Sequence, residues 1–550
     1  MNTAELLVRC LENEGIEYIF GVPGEENADF MIALEQSSTI QFILTRHEQG
    51  AAFMAEVYGR LTGRPAICLG TLGPGATNLM TGVANANMDR VPMLVLTGQG
   101  ASTRLHKESH QIMDVVSMFT PVTKWSRSIL HPDSVPEIVR KAVRVATSEK
   151  FGACHLELPE DIAKEEATLA PIQPRKHQRP VASESQIELS FHALRAAKRP
   201  IILVGNGCIR HHASDALRHF CQMTGIGVIN TFMAKGCVDM DDDFCLHTIG
   251  LQAKDVVSCA LDAADLIITL GYDMVEYHPV LWNSNGDKKI IHIDDHPAEI
   301  DAHYQPEVEL IGDLKHTLEM MNARIDQLGA ISRNLEQQAE TRRQIQHVLM
   351  EHADDKTEGL IRPQKVLADV RKVINPHGIL LSDVGAHKMW IARHYPCHEP
   401  NTCLIPNGFC SMGFALPGAI AASLVYPEQQ IMAICGDAGF MMNVQEMETA
   451  YRLKSNIVVM VWEDHAYGLI AWKQQNQFGH HTDLNFNNPD WLLLARSFSW
   501  HGHYVQNAID LESTLIQSFA EPGPSLVVVP IDYRENMKLS EKLGHLVCAI

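Results

Sequence analysis

The chain has 550 residues, a formal net charge of -21, and 46% hydrophobic against 20% charged residues. That length exceeds what one hydrophobic core supports and predicts about three or four domains of ordinary globular composition. The acidic balance argues against nucleic acid and anionic membrane surfaces as partners, although a site with its own local field can still hold a small anion.

In chain order, "MNTAELLVRCLENEGIEYIFG" reads as an amphipathic helix followed by a strand. It lacks the basic flank and long apolar core of a signal peptide. No run reaches the ~18 apolar residues of a membrane span. The 13 cysteines are scattered without a CxxC pair. That is the pattern expected of buried thiols in a reduced, cytoplasmic protein. "IQFILT", "PAICLG" and "VPMLVLTGQ" read as strands. The helices "EQGAAFMAEVYGRLTG" and "LMTGVANANMD" and the loop "TLGPGATN" lie between them. Short apolar runs bounded by Gly and Pro, alternating with helices, predict a parallel α/β sheet.

At 170–183 the composition changes to "APIQPRKHQRPVAS", a proline-bearing basic linker. A second unit follows with strands "PIILVGNG", "GIGVINT", "DLIITLG" and "KKIIHID". A polar helical stretch over 333–359 leads to a third unit with strands "GILLSDVG", "QQIMAICGD", "NIVVMVW" and "SLVVVPID". The expected fold is therefore α/β, with three doubly wound parallel-sheet domains over residues 1–170, 185–335 and 360–545.

Ligands of open parallel sheets sit beyond the carboxyl ends of the strands. Polar, Gly-rich strand ends occur in the first and third units: Gly21–Gly24, Arg46-His47-Glu48, Gly73-Pro74-Gly75, Asp383–His387 and Gly436-Asp437. This distribution predicts one ligand shared between them. Gly436-Asp437 offers free backbone N–H groups for a phosphate and a carboxylate for its cation. The next predicted strand ends at Asp464-His465. Two strand ends of this kind can clamp a Mg²⁺–diphosphate group. On these residues alone, a turn and a helix cap is the plainer reading.

Gly436-Asp437-Ala438 followed by a long spacer and Asp464-His465 resembles the thiamine diphosphate signature Gly-Asp-Gly…Asn. "MNVQEMETAYRLK" within it closely resembles the acetolactate synthases. "FGVPG", "RHEQGAAFMAEVYGRLTGRP" and "LGPGATNLMTGVANANMDRVPMLVLTGQ" look like that family's pyrimidine-binding domain. "SDVGAHKMWIAR" and "NGFCSMGFALPGAIAA" look like its diphosphate-binding domain. The resemblance covers nearly the whole chain and implies thiamine diphosphate and Mg²⁺, or another divalent metal, as cofactors.

The resemblance also implies residue roles. Glu48 matches the glutamate that bonds the cofactor's pyrimidine and makes it an internal base. Asp437 would ligate the metal, and His465 stands where the family usually has Asn. An imidazole there would favour a nitrogen-tolerant metal; Asp464, one residue earlier, is the alternative donor. Asn78, His387, Gly408, Met412, Gly436, Ala438, Gly439 and Tyr467 fall on the cofactor-binding motifs. Gly408 would accept the cofactor's amino group, Met412 would wedge beneath it, and His387 would meet the diphosphate.

Gln111 matches the synthases' active-site glutamine, where related decarboxylases carry a His-His pair. A neutral amide orients an acceptor keto acid without protonating the carbanion, which favours carboligation. His480-His481 is a pair, but in the third unit, and reads as surface or lid. "GYDMVEYHPVLWN" looks like the flavin-free, catabolic branch, so no FAD is expected, and "VGNGC" reads as a structural strand–helix turn. Lys473 aligns where biosynthetic synthases carry an acceptor-selecting tryptophan.

The implied reaction condenses two pyruvates to 2-acetolactate with loss of CO₂, in a homodimer or homotetramer. Two alternatives stay open. One is a lyase or ligase on another 2-keto or 2-hydroxy acid, because Glu25 and Glu26 stand where catabolic synthases carry a lysine. The other is a cofactor-impaired binding or regulatory subunit, motivated by His465.

Overall fold

The computed structural model describes residues 1–175, 179–250, 256–329, 331, 333 and 335–536. The first unit contains β1 (Tyr18–Gly21), β2 (Gln41–Leu44), β3 (Ala66–Gly70), β4 (Met93–Gln99), β5 (Trp125–Ser128) and β6 (Ala153–Pro159). They form one parallel sheet in the order β2-β1-β3-β4-β6-β5. The second unit contains β7 (Pro200–Val204), β8 (Gly227–Asn230), β9 (Cys245–Thr248), β10 (Leu266–Leu270), β11 (Lys289–Asp294) and β12 (Val308–Ile311). Its order is β12-β11-β10-β7-β8-β9. The third contains β13 (Ile379–Ser382), β14 (Cys403–Leu404), β15 (Ile431–Gly436), β16 (Ile457–Glu463), β17 (His501–Tyr504) and β18 (Ser525–Pro530), in the order β14-β13-β15-β16-β18-β17.

All three sheets are parallel, as the alternation of short apolar runs and helices predicts. Central strands such as β3 and β4 are buried along their whole length because helices cover both faces. Strand order reverses between β1 and β3 in the first sheet and between β13 and β15 in the third. Such reversals leave a crevice at the carboxyl ends of the two strands. Gly436 closes β15 and Asp383 follows β13, so the third unit's predicted motifs flank one crevice.

The first and third units share a core. The helix Glu48–Thr62 packs on the helix Ala415–Val425, and Phe53, Val57, Phe414 and Ala419 lie in one apolar cluster. The Phe53 and Phe414 rings meet edge-on at 5.7 Å. Gly418 permits the approach, since a Cβ there would lie 2.9 Å from Val57 Cγ2.

Among the described residues, no helix is long and apolar enough to cross a membrane. Cys410 is the partly exposed one among the free thiols found there; the others are buried. Cys259 is disulfide-bonded, so the fully reduced pattern does not hold at that residue.

Candidate active site

The third-unit crevice is built around Asp437, which opens a short helix directly after β15 and is 1% exposed. Its Oδ2 accepts three bonds: from the N–H of Asp464 (3.1 Å), the N–H of His465 (2.8 Å) and Asn488 Nδ2 (2.8 Å). Its Oδ1 accepts the Ala438 N–H at 2.9 Å. Asp464 faces the same space. Burial, and then the charge of Asp437, pushes its carboxyl up to about 8. Two carboxylates converging on one crevice repel unless a cation or a proton lies between them.

A cavity of about 170 Å³ occupies this crevice. His387, Met412, Gly436, Asp437, Ala438, Gly439 and Tyr467 all line it, and Asp464 and Cys410 join them. His387 is 2% exposed, and its Nε2 has no hydrogen-bond partner among the described residues. Burial pushes this imidazole down to about 3, so the ring is neutral and one nitrogen is free to serve a ligand.

Two of the expected residues do not line this cavity. Gly408 does not line the cavity; its N–H donates to Asp89 Oδ1 at 2.6 Å, and a Cβ there would meet the Met88 carbonyl. Cys410, two residues on, has φ +59 and reaches the cavity instead. The His465 imidazole also turns away. Its side chain is 56% exposed and its Nε2 lies 3.5 Å from Glu463 Oε1. It lines a neighbouring cavity of about 640 Å³ that shares Asp464, Ala466, Gly468 and Tyr533 with the first. The cause is local: φ is +58 at His465, so consecutive side chains diverge and Asp464 takes the inner position.

The first unit holds a second set. Glu48 opens its helix behind the N-cap His47 and is 8% exposed. Its Oε2 accepts Asn78 Nδ2 at 3.0 Å, and Gly75 leaves room, since a Cβ there would lie 3.3 Å from Oε1. Gln111 lies over the same turn: a Cβ on Gly73 would come within 2.9 Å of its carbonyl oxygen. Glu48, Asn78 and Gln111 thus gather at one end of the first sheet, and none lines the third-unit cavity. Glu26 accepts the Thr71 hydroxyl at 2.9 Å, while Glu25 is exposed.

Sequence reasoning missed Asn488 and Glu446. Asn488 bonds Asp437 across 51 positions, and its Oδ1 is buried with no partner among the described residues. In "NNPDW" it reads only as a turn before a helix capped by Asp490. Glu446 is buried and bonds the turn that precedes Glu48. Separately, Asp239, Asp241 and His398 place three possible metal donors within 4.8 Å of one another; this group includes neither Asp437 nor Asp464.

Three family models match the chain, each a domain of "thiamine pyrophosphate enzyme". The N-terminal TPP binding domain matches residues 1–118, the central domain 187–321 and the C-terminal TPP binding domain 383–529. The chain is 34% identical to an acetolactate synthase of Bacillus subtilis, covering 98% of this chain and 95% of that protein. It is 33% identical to a catabolic acetolactate synthase of Raoultella terrigena over 98% of this chain and 97% of that one. It is 31% identical to a probable acetolactate synthase large subunit of Methanococcus aeolicus over 100% and 96%. With these matches spanning all three sheets, the chain belongs to the thiamine pyrophosphate enzymes and is a relative of the acetolactate synthases.

Proposed function

We propose that the protein is a thiamine diphosphate- and metal-dependent carboligase that condenses two pyruvates to 2-acetolactate and releases CO₂. The observation that carries this reading is the cavity at the β13/β15 reversal. There, two carboxylates converge and a buried neutral histidine presents an unpartnered nitrogen. Both features fit a metal-bound diphosphate: Asp437 and Asp464 would hold the cation, which would offset their repulsion, and His387 would offer its unpartnered nitrogen to the diphosphate. Asp464 supplies a hard oxygen donor, which suits Mg²⁺. Its inward orientation supports a working metal site although His465 stands where the family usually has Asn.

When bound, thiamine diphosphate supplies the carbon nucleophile that attacks a keto acid. The chain's own residues do the rest. Met412 lies on the wall against which the cofactor would bend. Glu48, its carboxylate fixed by Asn78, would hydrogen-bond the cofactor's pyrimidine ring nitrogen. Gln111 faces the acceptor without an acidic proton to deliver. Since Glu48 and Asp437 line different spaces in one chain, we infer that each site is completed by the first unit of a second copy. The lyase alternative rests on Glu25 and Glu26: Glu26 accepts the Thr71 hydroxyl, while Glu25 stays exposed.

A flavin-free enzyme fits the middle unit. At the Gly205–Gly207 turn after β7, where a nucleotide phosphate would sit, the Glu276 carboxylate accepts the Asn206 N–H at 3.0 Å. Thr231 donates to the same carboxylate.

The test is incubation with pyruvate, thiamine diphosphate and Mg²⁺, reading acetolactate as acetoin after acid treatment. Stable cofactor binding with no acetolactate would reject pyruvate condensation in favour of another 2-keto or 2-hydroxy acid.

A further inference from the structure

Glu446 opens the helix Glu446–Arg452 in the third unit, yet its carboxylate serves the first. Its Oε1 accepts the backbone N–H of Arg46 (3.1 Å) and of His47 (3.0 Å). Its Oε2 accepts the Thr449 hydroxyl at 2.7 Å and lies 3.3 Å from the Arg46 nitrogen. Those two amides belong to the turn between β2 and the helix that Glu48 begins. Gly50 makes room for the contact, because a Cβ there would lie 2.8 Å from Oε1. Glu446 is fully buried, and burial pushes its carboxyl up to about 7. A buried carboxyl is costly to keep unless its bonds are made, so this one is specified by its partners.

The segment leading to Glu446 also touches the other half-site. It starts at Asp437, and at Asn443 its side chain donates to the Gly413 carbonyl at 2.8 Å, directly after Met412. One short segment therefore holds the Asp437 crevice, the Met412 wall and the Glu48 turn.

We propose that Glu446 is a positioning residue for the reaction: by clamping the Arg46 and His47 amides it fixes the aim of the Glu48 carboxylate at the cofactor. This rests on the thiamine diphosphate reading above. Glu446 touches neither cofactor nor substrate and acts only through Glu48. A purely architectural role, tying two units together, predicts a loss of stability but no change in how Glu48 acts.

The experiment uses Glu446→Gln in the full chain. The amide keeps one acceptor oxygen and replaces the other by a donor that cannot accept an N–H. The first readout, without cofactor, is amide hydrogen exchange over residues 45–50. The second is exchange of the C2 hydrogen of bound thiamine diphosphate in D₂O, which reports the activation attributed to Glu48 before any substrate enters. The expected result is about tenfold faster amide exchange at Arg46 and His47 and about tenfold slower C2 exchange, the order of losing one charged hydrogen bond. Glu446→Asp, which keeps the charge on a shorter arm, gives intermediate values and carries both readouts if the Gln variant does not fold. Unchanged C2 exchange in a variant whose amides exchange faster overturns the proposal and leaves Glu446 as architecture. Unchanged amide exchange overturns it as well. If the unaltered protein fails to accelerate C2 exchange, the cofactor reading itself falls, and the proposal with it.

Discussion

Asp464 and His465 are neighbours in the chain, and both line the outer cavity, but only Asp464 also lines the crevice of Asp437. Asp464 lines the crevice of Asp437, while the His465 ring packs toward Glu463 and Asn488. The backbone N–H groups of both residues bind the same Asp437 oxygen. The strand end is therefore used twice: its amides orient one carboxylate, and one of its side chains adds a second.

Metal dependence separates these neighbours. Asp464→Asn should raise the Mg²⁺ concentration needed for half-maximal activity by roughly 10–100-fold, the range seen when metal-site partners are disturbed. His465→Asn should change it less than about twofold, since the imidazole stands outside the crevice. Mg²⁺ titrations of activity and of cofactor binding decide the matter; the opposite ranking would return the histidine to the metal.

Asn488→Ala removes the side-chain donor to Asp437 and should weaken metal and cofactor binding about tenfold, with the sheet intact by circular dichroism. Calorimetric titration with Mg²⁺ and thiamine diphosphate measures it. An unchanged affinity would mean that the two strand-end amides alone orient Asp437.

Glu48→Gln should keep the fold and the bound cofactor while lowering turnover at least ~100-fold, the usual scale for losing a positioned acid–base group. Near-normal turnover would remove Glu48 from its role.

Completion of each site by two copies predicts complementation. Glu48→Gln and Asp437→Asn are each inactive alone. After subunit exchange, half of a dimeric population is mixed, and each mixed dimer has one site free of both substitutions. Activity should recover to about one quarter of the unaltered level. No recovery despite exchange confirmed by mass would refute the shared site.

Glu276 sets a pH dependence of stability. Burial raises its carboxyl from 4.5 to about 7 in the folded protein. Below about pH 4.5 both states hold the proton. Between 4.5 and 7 the folded state keeps it and the unfolded chain releases it, so stability falls as pH rises through this window. Glu276→Gln should abolish that fall, a difference on the order of 3 kcal/mol. Thermal unfolding of both proteins across pH 4.5–8 provides the comparison; parallel curves would contradict it.

The central strands were legible because each is a short apolar run bounded by Gly or Pro and buried on both faces; the edge strands β5 (WSRS) and β17 (HGHY) are polar and partly exposed and carry no such signature. The strand ends marked where the third-unit crevice lies, at Asp383–His387 and Gly436-Asp437, but the roles of its residues came from the family resemblance, because a strand end alone reads as a turn and a helix cap. The misses have a physical pattern. His465 adopts positive φ without being glycine, and its ring leaves the crevice expected of it; Cys410, also at positive φ, lines the crevice in a motif from which only Gly408 and Met412 were expected to do so. Glu446 reaches Arg46 across 400 positions, and Asn488 reaches Asp437 across 51. No local pattern records such contacts, which exist only once the units have docked.

The Phe53–Phe414 core ties the helix that Glu48 begins to the unit that carries Asp437 within one chain. On the two-chain reading, each chain is then a rigid strut spanning two reaction centres, and pulling one copy away dismantles both at once. Dilution below the dimer's dissociation constant should extinguish activity without unfolding any sheet, and a cofactor that bridges two copies should slow that loss in proportion to its occupancy. Catalytic lifetime would be governed by how firmly the copies grip each other and only secondarily by the melting of either one.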